Sequence, residues 1–460
     1  MPVATPVTPV EAVQSLKETE NVSIEAYPSS FYADFLSEHA KNRLPSPIRG
    51  LFHHEKVPGM ISMLAGKPNP GLFPITSIAI TVRSPLDGVT EKTIELKGET
   101  LEEALQYGPT HGIPRAHKWF MGLQEVAHNR PQAPDWDLSV GAGSQDLIYK
   151  AFLALLNPGE SVLVEAPVYA GVVPLLVGQH AHCVEVDTDE HGASVESMRH
   201  ALENWPANKP KPKVFYTVPY GCNPSGVTTS LERREAILQL AHEHNFIIME
   251  DDPYYYLYFG SAPRPPSYWE LEARYNDRPR GRVLRFDSFS KILSSGLRLG
   301  LVTGPRALVE AINMHTASAN LQVSSTTQAI AYTFLSDWGY ETFFEHTRKV
   351  SEFYRRKRDV FARGLEKHLT GLAEWTTPEA GMFFWIKLHL PSTPVAPEGD
   401  SERVIKEKAL EAGVLALPGK SFFVLGRATP YVRAAFSLLD ENDVDEGLRR
   451  LAEVVKAIQA

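Results

Sequence analysis

The 460-residue sequence predicts an α/β protein, with a large doubly wound, mostly parallel sheet domain and a smaller α+β domain. Three observations lead there. From Ser161 onward, short apolar, β-branched runs alternate with turns and longer stretches of helical period, the pattern of strands crossing over to parallel neighbours. Each run ends on polar residues, where doubly wound sheets take their ligands. After about residue 330, long helical patterns dominate, interrupted by short strands.

Taken in order, Gly141, Ala142, Gly143 and Ser144 precede an amphipathic helix bearing Leu147, Ile148, Ala151, Phe152 and Leu155. Ser161 to Val164 and Val214 to Val218 read as strands. Leu231 to His244 reads as a crossover helix: Ala236, Ile237, Leu240 and Ala241 share one face, Thr229 or Ser230 offers an N-cap, and Glu232 stands in the first turn. Phe246 to Met249 is a buried strand, with Glu250, Asp251 and Asp252 expected just beyond its end. Pro263 to Arg280 has no clear period and is expected as a surface insertion. Val283 to Phe286 is a further strand. Beyond residue 330, helices are expected over Thr347 to Leu365, Ser401 to Ala412 and Glu441 to Ile458, with strands over Met382 to Ile386 and Tyr431 to Ala435. The expected organisation is a loose tail over 1–30, an arm and part of the small domain over 31–90, a large domain over 91–330 and a small domain over 331–460.

Composition narrows the functional classes. With 43% apolar and 22% charged residues the chain is an ordinary globular one, and disorder is excluded for most of it. The formal net charge is −9 and no dense Lys/Arg stripe occurs, so neither nucleic acid nor an anionic membrane is an expected partner. No apolar run approaches the roughly 20 residues of a membrane span. Cys183 and Cys222 are the only cysteines, which fits a reducing compartment. The first basic residue is Lys17, so the Pro/Thr-rich start lacks the charged flank of a secretory signal and the Arg-rich face of a presequence. A cytoplasmic protein is expected. His53/His54, His180/His182 and His242/His244 lack companion ligands at zinc-like spacing, and no metal is expected.

The chemistry concentrates on Lys291, in the run Asp287, Ser288, Phe289, Ser290, Lys291, with Ser294, Ser295 and Arg298 following. One amine flanked by hydroxyls and a guanidinium reads as a pyridoxal phosphate anchor, because nearby cations and hydroxyls favour loss of the lysine proton. Ser288, Ser290 and Arg298 would hold the phosphate. Other strand ends supply matching groups. Gly143 and Ser144 at a helix start suit a phosphate, and Tyr169 could stack on a flat ring. Asn223, before Pro224, could bond a ring oxygen. A carboxylate in the acidic run, taken as Asp252, would keep a pyridine nitrogen protonated, with Tyr255 three residues on facing the ring oxygen. Arg433, in an otherwise apolar strand, either makes an internal ion pair or offers its fork to a substrate carboxylate, beside the aromatics that include Phe383. Gly141 and Gly143 with Glu165 downstream also suggest a dinucleotide fingerprint, but Asp146 replaces the third glycine and would repel a pyrophosphate.

These residues together resemble the class I, fold-type I pyridoxal phosphate aminotransferases, most closely the kynurenine/2-aminoadipate and fungal aromatic subgroup. The likeness runs from about residue 40 to the C-terminus: Pro45 to Arg49, Pro68 to Pro70, Leu105 to Tyr107, Gly143 to Gln145, Asn223 to Gly226, Asp252 to Tyr255, the Lys291 run, Gly381 to Phe383, and Arg433. The resemblance implies that Lys291 is the covalent anchor, Asp252 pairs with the pyridine nitrogen, and Asn223 and Tyr255 bind the ring oxygen. Tyr169 would stack, and Ser144, Gln145, Ser288, Ser290 and Arg298 would bind phosphate, with Tyr107 reaching the phosphate of the other subunit in a homodimer with shared sites. Arg433 would take the α-carboxylate, while Arg49, on a closing N-terminal segment, together with Gly66 and Phe383, would meet the rest of the substrate. Lys67 departs from the apolar residue more usual in the subgroup. The implied reaction is a ping-pong transfer from an aromatic L-amino acid to 2-oxoglutarate. A 2-aminoadipate or kynurenine donor, a lyase on the same fold, a non-enzymatic effector-binding domain and the nicotinamide oxidoreductase remain as alternatives.

Overall fold

The computed structural model describes residues 26–275 and 277–459, so most of the tail expected over 1–30 lies outside the described residues. An antiparallel hairpin of β1 (Ile78–Arg83) and β2 (Glu91–Leu96) comes first, and the boundary expected at residue 90 falls in its turn. The main sheet has eight strands: β3 (Trp136–Gly141), β4 (Ser161–Ala166), β5 (His182–Asp189), β6 (Gly192–Ala193), β7 (Val214–Thr217), β8 (Ile247–Asp252), β9 (Val283–Ser288) and β10 (Gly300–Pro305). Their order is β3-β10-β9-β8-β7-β4-β5-β6. The pairs from β5 through β4, β7 and β8 to β9 are parallel. β10 is antiparallel to both its neighbours, β9 and β3, so β3 again runs parallel to β9 and its carboxyl end returns to the same edge.

A parallel sheet covered on both faces needs strands that are apolar throughout. Successive residues of β8 divide accordingly: Ile247 and Met249 join the core on one face, with Val164, Tyr216 and Phe286, while Ile248 joins that on the other, with Leu163, Phe215 and Val283. Each such side chain, fully buried, contributes roughly 1.5–3 kcal/mol. This division fixes which way every later residue of β8 points.

Two expectations are corrected here. β8 does not stop at Met249 but runs through Glu250, Asp251 and Asp252, all buried. The stretch Pro263 to Arg280 is not a surface insertion: it contains a helix, Tyr268–Ala273, whose Tyr268, Trp269, Leu271 and Glu272 are buried. One contact explains both. The Glu250 carboxylate accepts the backbone N–H of Tyr268 (2.8 Å) and Trp269 (3.2 Å), and Ser267 caps the same helix start. A buried acid thus finds donors at a helix N-terminus with no periodicity long enough to read from sequence.

The C-terminal sheet is antiparallel in the order β11 (Ala373–Trp375), β12 (Phe383–Leu388), β14 (Tyr431–Ala435), β13 (Leu417–Pro418). Ser325–Leu369 is one helical stretch broken at Gly339, whose φ of 67° and ψ of −179° are not helical. Its last part packs Phe361, Leu365 and Leu369 against Val444, Leu448 and Val455 of the final helix, Glu441–Gln459. The helix expected over Ser401 to Ala412 begins as a short α-turn, Ser401–Arg403, and continues as a π-helix over Val404–Ala409.

Candidate active site

At the carboxyl edge of the sheet, Gly300 of β10 pairs with Gly141 of β3 on one side and Ser288 of β9 on the other. A methyl group on Gly300 would come within 2.5 Å of the Ser144 amide nitrogen. Glycine is therefore what lets the start of the helix Ser144–Leu155 settle onto the sheet edge. Arg298 adopts a left-handed backbone (φ 48°), a strained choice for a residue with a side chain. Its guanidinium donates to the carbonyl of Ala142 (3.2 Å) and to Ser290 Oγ (3.3 Å), tying the Lys291 turn to the helix start. Gly143 leaves room for it, since a methyl group there would lie 2.4 Å from Arg298 Nη2. The Asp146 carboxylate is committed to the Ala142 N–H (3.1 Å) and to Lys150 (2.9 Å).

Lys291 ends a 3-10 turn, Phe289–Lys291, capped by Ser288 Oγ on the Ser290 amide. It opens into a cavity of about 200 Å³ that also brings together Ser144, Gln145, Tyr169, Asn223, Ser288, Ser290, Arg298 and Phe383. Larger clefts occur elsewhere, one of about 440 Å³ around Arg348, Arg355 and Arg358, which holds no lysine or aspartate. Burial, and then the charge of Arg298, hold the Lys291 amine below the ordinary lysine range. Gln145 donates to the carbonyl of Gly171 (2.9 Å), and the absence of a side chain at Gly171 leaves the space that the Tyr169 ring fills.

Asp252 and Tyr255 are not in this cavity; Asp251 and Tyr254 are, with Pro253 and Val218. The reason is strand alternation. Asp251 follows Ile247 and Met249 onto one face of β8 and stands opposite Phe286, two residues before Ser288. Asp252 shares the other face with Glu250, where Arg285 bonds it (2.8 Å) together with Asp287 (2.8 Å) and Glu250 (3.3 Å). Tyr255 points its hydroxyl at the carbonyl of Ala127 (2.7 Å). The spacing of three between acid and tyrosine holds for both pairs, so spacing cannot choose between them. The signal that could have done so is the parity of β8, visible only once the strand is extended past Met249.

Asp251 is buried. Its Oδ2 accepts the Tyr216 hydroxyl (2.5 Å), while Oδ1 is buried without a hydrogen-bond partner. Burial lifts this carboxyl to about 7, against the Tyr216 bond. An atom so placed has most to gain from a cationic N–H donor. Sequence reading also missed Tyr216. Glu165, the acid of the dinucleotide reading, is buried and bonded to Thr217 Oγ1 (2.7 Å) and the Val218 amide (3.1 Å), so it is not available to a ribose.

Arg433 on β14 lies across from Trp385 on β12. Among the described residues no carboxylate pairs with it; instead Nη1 donates to Asn223 Oδ1 (2.9 Å), the guanidinium stands over Phe383 (4.3 Å), and Nε is buried without a hydrogen-bond partner. Phe383 in turn meets Tyr254 edge-on. Besides Asp252 and Tyr255, three further expected residues are not brought to the cavity within this chain. Arg49 donates to the carbonyl of Gly108 (3.0 Å) and to Thr110 (3.1 Å) and lines a separate cleft with Phe52. Gly66 lies in an exposed segment, and Tyr107 is 52% exposed. Among the described residues no cluster of His, Cys, Asp or Glu could hold a metal ion, and no helix is long and apolar enough to cross a membrane.

The sheet edge, the lysine turn and the helix start that faces it gather an amine, hydroxyls, a guanidinium and an aromatic ring around one cavity, and comparison with known proteins gives the family. The family described as aminotransferase class I and II matches residues 82–451. The aminotransferase tdiD of Emericella nidulans is 43% identical over 412 residues, covering 89% of this chain and 93% of its own. The mitochondrial kynurenine/alpha-aminoadipate aminotransferase of Mus musculus is 37% identical, covering 92% and 99%. Among solved structures, the aromatic aminotransferase Aro9 of Candida albicans superposes with a TM-score of 0.81 at 26% identity, covering 92% and 97%. The Pyrococcus horikoshii kynurenine aminotransferase, solved with PMP, gives 0.69 at 30% identity, covering 92% and 97%. The chain belongs to the class I and II aminotransferases, with the fold-type I architecture, and its cofactor is pyridoxal 5'-phosphate. The nicotinamide alternative is thereby set aside.

Proposed function

We propose that this aminotransferase moves the amino group of an aromatic L-amino acid (Tyr, Phe or Trp) to 2-oxoglutarate in a ping-pong cycle. The observation that carries the residue roles is the gathering of Lys291, Asp251, Asn223, Tyr254, Tyr169 and Arg298 around one cavity. When bound, pyridoxal phosphate supplies a reactive aldehyde carbon and an electron-withdrawing ring. Lys291 anchors it through Nζ. Asp251, through Oδ1, holds the proton on the pyridine nitrogen, since an opposite charge in a dry site favours the charged form. Asn223 and Tyr254 would bind the ring oxygen, and Tyr169 offers its face to the ring. Ser144, Gln145, Ser288, Ser290 and Arg298, with the amides at the start of the helix Ser144–Leu155, bind the phosphate.

With its Nζ free, the Lys291 amine would be the base positioned to take the substrate α-proton and, as ammonium, the acid that gives it back. Its lowered proton affinity suits that task. Arg433 receives the α-carboxylate, its fork already oriented by Asn223 and Phe383.

Arg49, Gly66 and Tyr107 are assigned to a site shared between two copies: Tyr107 to the phosphate of the neighbouring site, Arg49 and Gly66 to the substrate side chain. The exposed apolar residues Leu44, Ile61, Met63 and Leu72 on the same segment support a homodimer. The composition supports a cytoplasmic setting. The alternative, a 2-aminoadipate or kynurenine donor, draws support from the substrates named for the mouse relative, and Lys67, which sits over Phe52 (4.7 Å) while paired with Glu55 (2.7 Å), leaves the side-chain preference open. The test is a panel of amino donors with 2-oxoglutarate, measuring keto acid and ammonia together. Aromatic donors are expected to give the highest kcat/KM, with keto acid and no ammonia. A higher kcat/KM for 2-aminoadipate or kynurenine would replace the donor, and ammonia release would make the enzyme a lyase.

A further inference from the structure

The turn that carries Lys291 is held on its amino side by the sheet. Phe289 N–H donates to the carbonyl of Leu299 (3.1 Å), and the Phe289 ring packs against Phe120 (5.3 Å) and Phe343 (6.5 Å). On its carboxyl side the amides of Ile292 and Leu293 fold back onto the carbonyl of Phe289. The carbonyl of Ile292, one residue past the anchor, is met by His346 Nε2 at 2.6 Å. For that contact Nε2 must carry the proton and act as donor, because a carbonyl only accepts. The ring is further fixed by Trp338, 5.1 Å away and tilted by 43°.

His346 lies beyond the break at Gly339, on the same helical segment that carries Phe361, Leu365 and Leu369 into the core of the C-terminal sheet. That core also holds Val432 and Phe436, which flank Arg433 on β14 and just beyond it. A single rigid element therefore has one end against the Lys291 turn and the other in the core that supports Arg433. The His346 contact therefore joins the Ile292 carbonyl to an element packed on the C-terminal sheet.

We propose that His346 is a positioning residue for Lys291: through its hydrogen bond to the Ile292 carbonyl it sets the placement of the Lys291 amine and couples it to the element that carries Arg433. The proposal rests on the reading of Lys291 as the cofactor's anchor. Ser288, Ser290, Asn223, Tyr169 and Tyr254 line the cavity with the amine, and the charged or acidic groups that share it are Arg298 and Asp251, so a shift of the turn changes the amine through its distances from that guanidinium and that carboxyl.

The experiment compares His346→Leu, His346→Gln and His346→Asn in the holoenzyme. Each is read by the pH midpoint of the visible absorption of bound pyridoxal phosphate, by the affinity for added pyridoxal phosphate, and by kcat and KM separately. A glutamine amide nitrogen reaches the place of Nε2, whereas that of asparagine reaches only the place of Nδ1. His346→Leu and His346→Asn are expected to move the midpoint by about half a pH unit or more and to lower kcat about tenfold, with His346→Gln close to wild type. Should His346→Leu fail to fold, the Gln and Asn pair decides alone. Midpoints equal in all variants overturn the proposal even if melting temperatures differ, as does a Gln variant no better than Asn. The underlying reading has its own control: wild type must show the visible band and Lys291→Ala must lose it.

Discussion

Asp251 and Asp252 are adjacent, chemically identical and both buried, yet they face opposite sides of β8 and have different partners. Each keeps one buried oxygen without a partner, but Asp252 belongs to a cluster in which one guanidinium, Arg285, serves three carboxylates, while Asp251 lines the cavity with Lys291. Asp251→Asn is expected to lower kcat by at least about 100-fold, the scale of losing a preorganised charge at the reacting ring, whereas Asp252→Asn should keep turnover within about tenfold and act mainly on the melting temperature. Steady-state rates and thermal melts of the two variants separate the assignments; comparable kcat losses would return Asp252 to the site. Lys291, Asn223, Arg298 and Arg433 were legible in the sequence because each is distinctive where it stands: an amine among hydroxyls, an amide before proline, a cation in an apolar run. The choice between two aspartates was not, because it depends on the last two residues of a strand whose acidic end looked like a loop.

At the scale of elements, the site depends on how closely the helix start at Ser144 approaches the sheet edge. Gly300→Ala places a methyl group against backbone atoms that cannot rotate away, at 2.5 Å from Ser144 N and 2.6 Å from Gly143 C. The strain should cost about 1–3 kcal/mol and widen the gap between the helix amides and Arg298. The expected result is at least tenfold weaker pyridoxal phosphate binding together with a lower melting temperature, measured by absorbance titration and calorimetry. A variant that melts early but binds as wild type would show that the close approach serves stability alone. Strands β4, β7, β8 and β9 were readable as short apolar runs, and the crossover helix Leu231–His244 from its apolar face and cap, Ser230 accepting from the Arg233 amide as expected, whereas β5 and the antiparallel β10 were not read from the sequence. The helix Tyr268–Ala273 was not, since six residues carry too little period and its start is fixed by Glu250 from another strand.

For the whole molecule, buried carboxyls tie stability to pH. Burial lifts Glu165 to about 7 despite its bonds from Thr217, Val218 and Cys222. A carboxyl whose folded value exceeds its unfolded one keeps its proton in the native state while the unfolded chain loses it. Stability is therefore full below about 4.5 and falls as pH rises toward 7. A shift of that size corresponds to ~3 kcal/mol. Glu165→Gln, which cannot ionise, should lose less stability than wild type between pH 5 and pH 8, as followed by denaturant midpoints. Parallel curves for the two proteins would show that Glu165 does not titrate in this window.

By itself the sequence determined the α/β class, the order of its main strands and helices, and the residue types a phosphorylated aldehyde cofactor requires, because periodicity and local chemistry are written along the chain. Only the tertiary structure decided which of two neighbouring acids faces the cavity, that Glu165 is a buried structural group, and that His346 touches the Lys291 turn. Those outcomes depend on strand register and on packing between residues far apart in sequence, and neither leaves a local signal.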